Sequence, residues 1–348
     1  MKNKDIFDKV VFIAPNIKGK GGIASVLKLY SESINAFHYL PTNSSSGKLS
    51  GIVKVAVSLL RLPLERIKGR KIAHIHYAGQ KSWTRKVVFL KFAKLLGYKV
   101  IMHCHCELNV LARKKGEAKV AKILKKADVN IALASSFKEF GETTLGLSNI
   151  MILNNPVEIT AHKVKENNEI PFHFLFIGVL NEEKGCLDIV EAARRLKARG
   201  KIFQIVMAGS GPKEEELKTL VKDYDLEAEV HFPGWVNEKE KTLCFEQARV
   251  LVLPSYSEGM PMSILEAKNH GLAVIASNVG GIPDIVRHDV DGFVIEPGDV
   301  DDLTEKMQSY IDNLNLLHNH CVASRDSIKE FDALKVTDKL KAIYKSVL

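Results

Sequence analysis

The stretch FHFLFIGVLNEEKGCLDIVEAARRLKARGKIFQIVMAG (172–209) decides the fold that the sequence predicts. It consists of a short apolar strand, a turn with a glycine, an amphipathic helical stretch and a second apolar strand. Apolar strands that alternate with helices are typical of parallel sheets that helices cover on both faces. The stretch therefore predicts a β-α-β unit of an open α/β sheet.

The same alternation continues along the whole chain, with helical stretches such as 24–34 and 85–97 between the strands. We expect two doubly wound, Rossmann-like domains over residues 1–157 and 158–332, joined through the polar, proline-bracketed segment 156–171. The predicted strands cover 10–15, 71–76, 99–105, 128–135, 150–154, 172–178, 201–209, 228–234, 249–255 and 272–277.

The composition is that of a soluble globular protein, with 348 residues, 46% hydrophobic and 26% charged residues. It excludes disordered, collagen-like and coiled-coil classes. The net charge of +9 is unevenly distributed, because residues 1–156 carry +18 and residues 157–348 carry −9. No apolar run reaches the roughly 18 residues of a membrane-spanning helix. Five scattered cysteines and an N-terminal strand instead of a signal peptide predict a reduced, cytoplasmic chain.

Glycine-rich loops follow several of the predicted strands, and ligands of open parallel sheets bind at the carboxyl ends of strands. The loop PNIKGKGGIAS (15–25) is either a tight turn or an anion site at a helix start. It lacks the GxGxxG spacing and the acidic residue of a nicotinamide site. AGSGP (208–212) is a second such loop, and Lys184 at a strand-to-helix turn is either a phosphate ligand or a surface lysine.

The segment PSYSEGMPMSILEAKNHG (254–271) carries the strongest chemical signal. Pro261 suits the first turn of a helix, where the backbone amides are free to bind an anion. Glu258 precedes that helix and Glu266 lies inside it, so the two carboxylates can hold two separate polyhydroxyl groups, with an anion between them near Lys184. Each glutamate alone would otherwise be a favourable partner of the helix dipole.

The run His103-Cys104-His105-Cys106 ends another predicted strand. Alternation places both histidines on one face and both cysteines on the other, which argues against a four-ligand zinc cage in a regular strand. His105 is therefore either directed into a cleft or a hydrogen-bonded structural histidine, and His74 and His76 are structural candidates. Arg113 and Lys114 form a solvated basic loop or, as the alternative, a site for an anionic partner.

Several motifs, taken in order, resemble the retaining nucleotide-sugar glycosyltransferases of family four. The resemblance covers nearly the whole chain and is most specific in the second half. It implies the GT-B fold, in which two Rossmann-like domains face each other across a cleft, and a last helix at 333–348 that packs back on the first domain. The motifs are GGIA (21–24), IGVLNEEKG (177–185), AGSGP (208–212), EGMPMSILEA (258–267) and GGIPDIV (280–286).

The resemblance also implies roles for single residues. Glu258 and Glu266 match the two glutamates of the EX7E motif, which contact the donor sugar and the ribose. Lys184 matches the diphosphate-binding lysine, and His105 matches a histidine that contacts the donor sugar, with His103 as the alternative alignment. The other residues implied in donor binding are Gly22, Gly209, Gly211, Trp235, Val236, Gly259, Met260 and Pro261.

One position departs from the family pattern, because Val179 stands where members often carry a second cation for the diphosphate. Lys184, glycine amides and a basic residue elsewhere would then neutralise the donor. The implied mechanism retains the anomeric configuration, and the leaving diphosphate takes the proton of the acceptor hydroxyl. We expect a UDP-sugar donor before a GDP-sugar, no permanently bound cofactor and no metal requirement, since no DxD motif ends a suitable strand.

The basic first half predicts an acceptor rich in phosphate, such as a saccharide linked to polyprenyl diphosphate, and peripheral docking on the anionic inner face of the plasma membrane. The alternative interpretation is that these basic residues are simply solvated helix faces. Nucleic acid is disfavoured as a partner because no nucleic-acid recognition motif accompanies them. A nucleotide-sugar 2-epimerase and a non-enzymatic nucleotide-sugar binder are the competing functions. The basic residues lie on two predicted helices, Lys81, Arg85, Lys86, Lys91 and Lys94 on one, and Lys114, Lys115, Lys119, Lys122, Lys125 and Lys126 on the next.

Overall fold

The computed structural model describes residues 5–19, 21–43, 48–161, 164 and 174–348. The chain divides into two compact units, Met1–Glu158 with Phe331–Leu348, and Ile159–Glu330. These bounds differ by one or two residues from the predicted domains. Most of the predicted linker, beyond 161, lies outside the described residues, as do the first two residues of the predicted strand 172–178.

The first unit is built on a six-stranded parallel sheet with the order β2-β1-β3-β4-β5-β6. All residues of β1 and β3 are buried, as expected for strands with helices on both faces. Its strands are β1 Val10–Ala14, β2 Tyr39–Pro41, β3 Ile72–Tyr77, β4 Lys99–Cys104, β5 Val129–Ala132 and β6 Ile150–Ile152. Its first six helices are α1 Gly22–Ser33, α2 Lys48–Ile67, α3 Gly79–Leu95, α4 Leu108–Lys115, α5 Glu117–Leu124 and α6 Ser135–Thr143.

The second unit has a six-stranded parallel sheet with the order β12-β11-β10-β7-β8-β9. Counted within the unit, this is the 3-2-1-4-5-6 order of a Rossmann domain. Its strands are β7 Phe174–Ile177, β8 Ile205–Ala208, β9 Val230–Gly234, β10 Val250–Leu253, β11 Ala273–Ser277 and β12 Gly292–Ile295. Its helices are α7 Cys186–Ala198, α8 Glu214–Asp223, α9 Glu238–Gln247, α10 Met262–Asn269, α11 Val300–Asp312 and α12 Leu314–Ser327.

The last helix, α13 (Ala333–Val347), belongs to the first unit although the chain reaches it only after the second. Backbone hydrogen bonds join Val157 to Phe331 and Ala333, where the chain returns. The ring of Tyr344 packs edge-on against Phe7, and its hydroxyl lies 2.7 Å from Nδ1 of His74 on β3. The helix therefore closes one face of the first sheet.

The sequence analysis placed no element at α2 or β2, and none at β12, α11 or α12 after its last predicted strand. Strand β12 begins at Gly292. The basic stretch 114–126, predicted as one helix, is two. Gly116, with φ of 88°, ends α4 and precedes α5, because a left-handed residue cannot continue a helix.

Helix α2 exposes an apolar stripe to solvent. We define the apolar stripe as Val53, Val57, Leu60, Leu64 and Ile67, whose exposed fractions range from 47% to 82%. Their alternating spacing of four and three residues places them on one side of the helix. Within the described part of the chain, no helix is long and apolar enough to cross a membrane.

Candidate active site

The order of the second sheet reverses between β7 and β10, and this switch point brings two loops together. The loop after β7 carries Lys184, and the loop after β10 carries Glu258. Open α/β sheets bind their ligands in the crevice at such a switch point, outside the carboxyl ends of the strands. The topology therefore places two of the predicted site residues where a ligand is expected.

Lys184 and Glu258 form an ion pair at this switch point. The distance between Lys184 Nζ and Glu258 Oε1 is 2.6 Å, and the Ser255 hydroxyl donates to the same oxygen at 3.0 Å. The side chain of Glu258 is 8% exposed and that of Lys184 is 25% exposed. The pair is thus partly open to solvent, so both groups can exchange this contact for one with a ligand.

Further hydrogen bonds tie the two loops to each other. The side chain of Asn181 accepts from the Lys184 amide at 3.0 Å and caps the short 3-10 helix Glu182–Lys184. The amide of Tyr256 donates to the carbonyl of Glu183 at 2.8 Å, and the Tyr256 hydroxyl donates to Asp188 at 2.9 Å. These contacts position Lys184 and Glu258 through the backbone.

Two glycines allow the close approach of these loops. Gly185 has φ of 65°, and a methyl group on it would overlap the carbonyl oxygen of Pro254. Gly280, which follows β11, has φ of 56°, and a methyl group there would overlap the carbonyl oxygen of Glu258. Only glycine fits both positions without strain. The motifs around Lys184, Glu258 and Gly280 are therefore packed against one another.

Residues 259–261 connect Glu258 to α10. The carbonyl of Gly259 accepts a hydrogen bond from the Gly281 amide at 2.7 Å, and Met260 is buried. Pro261 is the N-cap residue of α10, so the helix begins at Met262, one residue later than predicted. The amides of a first helical turn have no partner within the helix, so this end of α10 offers donors to an anion.

Glu266 lies inside α10 and pairs with a cation that the sequence analysis missed. The distance between Lys241 Nζ, on α9, and Glu266 Oε1 is 2.9 Å. Burial raises the pKa of the Glu266 carboxyl, and the charge of Lys241 opposes this shift. Lys241 lies 25 residues from Glu266, and no motif around it indicates the pairing, which only the packing of α9 and α10 reveals.

The remaining predicted donor residues lie at the ends of β8 and β9, on the other side of β7. The amide of Gly209 donates to the carbonyl of Gly234 at 2.8 Å, and Gly211 packs tightly against the backbone of Leu180. Trp235 follows β9 and is 49% exposed. Val236 comes next in the same loop. Val179, at the position where the family often has a cation, is exposed.

In the first unit, His105 follows β4 directly and is half-buried. Its Nε2 lies 2.8 Å from Nδ1 of His76. Burial, aided by the nearby Lys86, lowers the pKa of His105 to about 3. The imidazole is therefore neutral near pH 7 and can exchange hydrogen bonds, but it carries no proton to donate as an imidazolium.

The other predicted residues of the first unit differ widely in exposure. His103 is 1% exposed, so the structure places it in the interior of the first unit. Gly22 is exposed at the start of α1, after the left-handed Gly21. Arg113 and Lys114 are exposed in the last turn of α4.

Lys86 corrects the prediction of a continuous basic surface on α3. This side chain is fully buried, and its Nζ donates to the carbonyl oxygen of Ile13 at 2.9 Å. Burial lowers the pKa of Lys86 well below its ordinary value. Lys81, Lys91 and Lys94 are exposed, so the basic surface of this helix is smaller than predicted.

The whole chain has the fold of a solved structure from Anabaena, HepE in complex with UDP. The likeness has a TM-score of 0.77 at 15% sequence identity and covers 97% of this chain and 100% of that chain. At this identity the likeness shows the fold alone. It confirms the predicted fold class, with two parallel-sheet α/β domains of the GT-B type.

Two curated relatives are similar in sequence over part of the chain. The first is the UDP-Gal:alpha-D-GlcNAc-diphosphoundecaprenol alpha-1,3-galactosyltransferase of Escherichia coli, 33% identical over 50% of this chain and 45% of its own length. The second is the amylovoran biosynthesis glycosyltransferase AmsK of Erwinia amylovora, 34% identical over 39% of this chain and 35% of its own length. The chain thus spans less than half the length of either relative.

The second unit also matches a family model. The matched segment is 157–324, and it includes Lys184, Glu258 and Glu266. Both relatives are named as glycosyltransferases, and that of Erwinia amylovora is named for amylovoran biosynthesis. The residues of the candidate donor site therefore lie in the part of the chain that matches the family of glycosyl transferases group 1.

Proposed function

We propose that the chain is a retaining glycosyltransferase that moves a sugar from a UDP-sugar to a saccharide or polyprenyl-diphosphate-linked acceptor. The bacterial surface polysaccharides, namely capsule, exopolysaccharide or O-antigen, are the proposed products. The observation that carries the proposal is the ion pair of Lys184 and Glu258, which lies at the switch point of a sheet inside the family-matching segment.

The chemistry of the second unit fits a nucleotide-sugar donor. Lys184 and the free amides at the start of α10 supply positive charge for a diphosphate. The carboxylate of Glu258 accepts hydrogen bonds from sugar hydroxyls. When the donor binds, Lys184 exchanges Glu258 for the diphosphate, and Glu258 exchanges Lys184 for a sugar hydroxyl, so neither group is left without a partner.

Transfer with retention needs positioning more than acid-base chemistry from the protein. In the proposed reaction the bond between the anomeric carbon and the diphosphate oxygen breaks, and the acceptor oxygen bonds to the same face of that carbon. The leaving diphosphate takes the acceptor proton. Lys184 and backbone amides stabilise the charge that develops on the diphosphate, while Glu258 orients the sugar.

The comparisons support the classes of donor and acceptor. The name of the Escherichia coli relative gives UDP-Gal as its donor and a diphosphoundecaprenol-linked sugar as its acceptor. The structural neighbour HepE was solved with UDP and with UDP-glucose. We propose the same classes, a UDP-sugar and a lipid-linked diphosphate, for this chain.

Helix α2 supports the proposal of peripheral docking on the cytoplasmic face of the membrane. Two basic residues, Arg61 and Lys68, lie exposed beside the apolar stripe. The acidic residue of α2, Glu65, is buried. An apolar stripe flanked by basic groups is the pattern of a helix that lies in the interface of an anionic membrane.

Vesicle flotation tests the membrane proposal. We expect the protein to bind vesicles with anionic lipid at physiological salt and to bind neutral vesicles much less. Leu60→Asp with Ile67→Asp should abolish binding, whereas Ile202→Asp, at a position in the second unit that is 87% exposed, should not. Equal binding to both vesicle types, or dimerisation through the apolar stripe instead of binding, would contradict the proposal.

A transfer assay tests the main proposal. The protein is incubated with UDP-sugars, with and without a polyprenyl-diphosphate saccharide, and products are identified by mass spectrometry and NMR. We expect a product with the donor's anomeric configuration only when acceptor is present, and no acceleration by added Mg²⁺ or Mn²⁺. Conversion of the donor alone would indicate the epimerase, and tight donor binding without turnover would indicate the non-enzymatic binder.

A further inference from the structure

Four histidines lie on one face of two neighbouring strands in the first unit. His74 and His76 come from β3, His103 comes from β4, and His105 follows it. In the parallel register His76 lies opposite His103. The ring centroids of His76 and His103 are 4.8 Å apart, and those of His74 and His103 are 5.2 Å apart. His74, His76 and His103 are all buried.

The hydrogen bonds of these rings leave the Nε2 atoms of two histidines without a partner. Nδ1 of His74 lies 2.7 Å from the Tyr344 hydroxyl, and Nδ1 of His76 lies 2.8 Å from His105. Nδ1 of His103 lies 3.2 Å from Nε2 of His74. Nε2 of His76 and Nε2 of His103 are buried and have no hydrogen-bond partner among the described residues.

A buried ring nitrogen without a partner is costly and calls for an explanation. Each of the three histidines has a nitrogen within 4.8 Å of the others, so the rings would have to rotate to bring three nitrogens to one metal ion. In metal sites, the second nitrogen of a ligating histidine is generally held by an outer hydrogen bond. Tyr344 and His105 supply such bonds at Nδ1 of His74 and His76, whereas the 3.2 Å contact between His74 Nε2 and His103 Nδ1 has to open before His74 Nε2 can bind the ion.

We propose that His74, His76 and His103 form a three-histidine site for Zn²⁺, with the Nε2 atoms as ligands. The proposal does not depend on glycosyl transfer. Three histidines are a known zinc ligand set, and the neutral imidazole is the ligating form.

The ion would join β3 to β4 directly and α13 through Tyr344, so it would stabilise the first unit. The half-buried His105, at the strand end, marks the route by which an ion enters. Among the described residues, the cluster of His74, His76 and His103 includes no carboxylate that could offset the charge of a metal ion. The nearby Lys86 is a potential cation, which would oppose metal binding. We therefore expect weaker binding than at a site of thiolates, where ligand charge offsets the charge of the ion.

The test uses the full chain without a polyhistidine tag, stripped with a chelator and titrated with Zn²⁺ alone. We expect one ion per chain by calorimetry and equilibrium dialysis and a raised Tm, since an ion that binds only the folded state stabilises it. Co²⁺ in place of Zn²⁺ should give the visible absorption of a tetrahedral site. The absence of binding by the wild-type protein would overturn the proposal.

Variants assign the ion to the histidines. His76→Leu and His103→Leu should lose the ion, whereas His318→Gln, outside the cluster, should keep it. Tyr344→Phe removes only the outer hydrogen bond to His74, so it should fold and bind roughly ten- to a hundredfold more weakly. The double variant Cys104→Ser, Cys106→Ser should bind like the wild-type protein. If it loses the ion, or if Tyr344→Phe and the leucine variants bind normally, the histidine site is wrong.

Discussion

The two units differ in how far they bury the polar groups near the carboxyl ends of their strands. At the switch point of the second unit, Lys184 and Glu258 carry opposite charges and pair at 2.6 Å, and Lys184 is 25% exposed. In the first unit, His76 on β3, His103 on β4 and Lys86 on α3 are fully buried, and burial holds each pKa below its ordinary value. An ion pair with one partner open to solvent can change partners when a ligand arrives, whereas fully buried groups form part of the scaffold.

This difference also explains why the net charge of a unit does not locate its anion site. The second half of the chain carries −9, yet its candidate site offers a lysine and helix amides at one point. The first half carries +18, yet one of its lysines, Lys86, is withdrawn from the surface. Local geometry decides which charges a ligand meets.

The largest expected effect concerns two buried lysines. Lys268 is buried and pairs with the buried Asp291 at 3.2 Å, whereas Lys86 has no ion pair among the described residues. Lys268→Met leaves the buried Asp291 with only Arg287 as its ion-pair partner, at 2.8 Å, and should lower the free energy of unfolding by about 3 kcal/mol, the low end of the range for breaking a buried pair. Lys86→Met removes a desolvated amine and should change it by less than about 1 kcal/mol, or raise it.

Urea unfolding of both variants measures this contrast, because the midpoint reports stability when the slope is unchanged. The exposed Lys91→Met is the matched control for the loss of one positive charge on α3. If Lys86→Met destabilised the protein as strongly as Lys268→Met, the buried amine would have a compensating partner, and the comparison between the two units would fail.

The second prediction concerns Glu258. Glu258→Ala should reduce kcat by about 10²- to 10³-fold, the range found when one preorganised polar contact to a transition state is removed. Stability should change little, because Lys184 is partly exposed and water can solvate its charge. Transfer kinetics and thermal unfolding on the same samples measure kcat and stability. Glu182→Ala, at an exposed position, is the control. Activity close to wild type would remove Glu258 from the mechanism.

The third prediction concerns the ion pair of Lys241 and Glu266. Lys241→Met removes the positive charge that opposes the raised pKa of Glu266, so a larger fraction of this carboxyl becomes protonated. If Glu266 accepts hydrogen bonds from the ribose, we expect the donor KM to rise roughly tenfold, with kcat nearly unchanged. The exposed Lys239→Met is the control on the same helix. A fall in kcat alone would place Glu266 in the reaction instead of in donor binding.

The sequence predicted the described strands other than β2 and β12, and it singled out the switch-point residues, because both give local signals. Apolar runs mark buried strands, and glycines mark the turns that follow them, so Lys184 and Glu258 could be assigned before the structure. The partner of Glu266 could not, since Lys241 is distant in sequence and its helix carries no motif. The burial of Lys86 was missed for a related reason. Its position on α3 suggested a surface residue, and only the packing against Ile13 shows otherwise.

The smallest expected effect concerns a carboxylate of the basic first unit. Burial alone would raise the pKa of Asp128, but the Lys94 ammonium at 2.8 Å and the Val100 amide at 2.7 Å lower it below its ordinary value. A lowered carboxyl pKa stabilises the fold above the unfolded value of about 3.9, and this contribution is lost as the pH falls through the folded value. Asp128→Asn should therefore cost about 1 kcal/mol near pH 7 and almost nothing near pH 2. Urea midpoints across this pH range measure the effect. Asp312 forms an exposed ion pair with Lys201 in the second unit, so Asp312→Asn should show a smaller change. A cost for Asp128→Asn that stayed constant with pH would mean that the hydrogen bond to Val100, and not the charge, accounts for the contribution of Asp128.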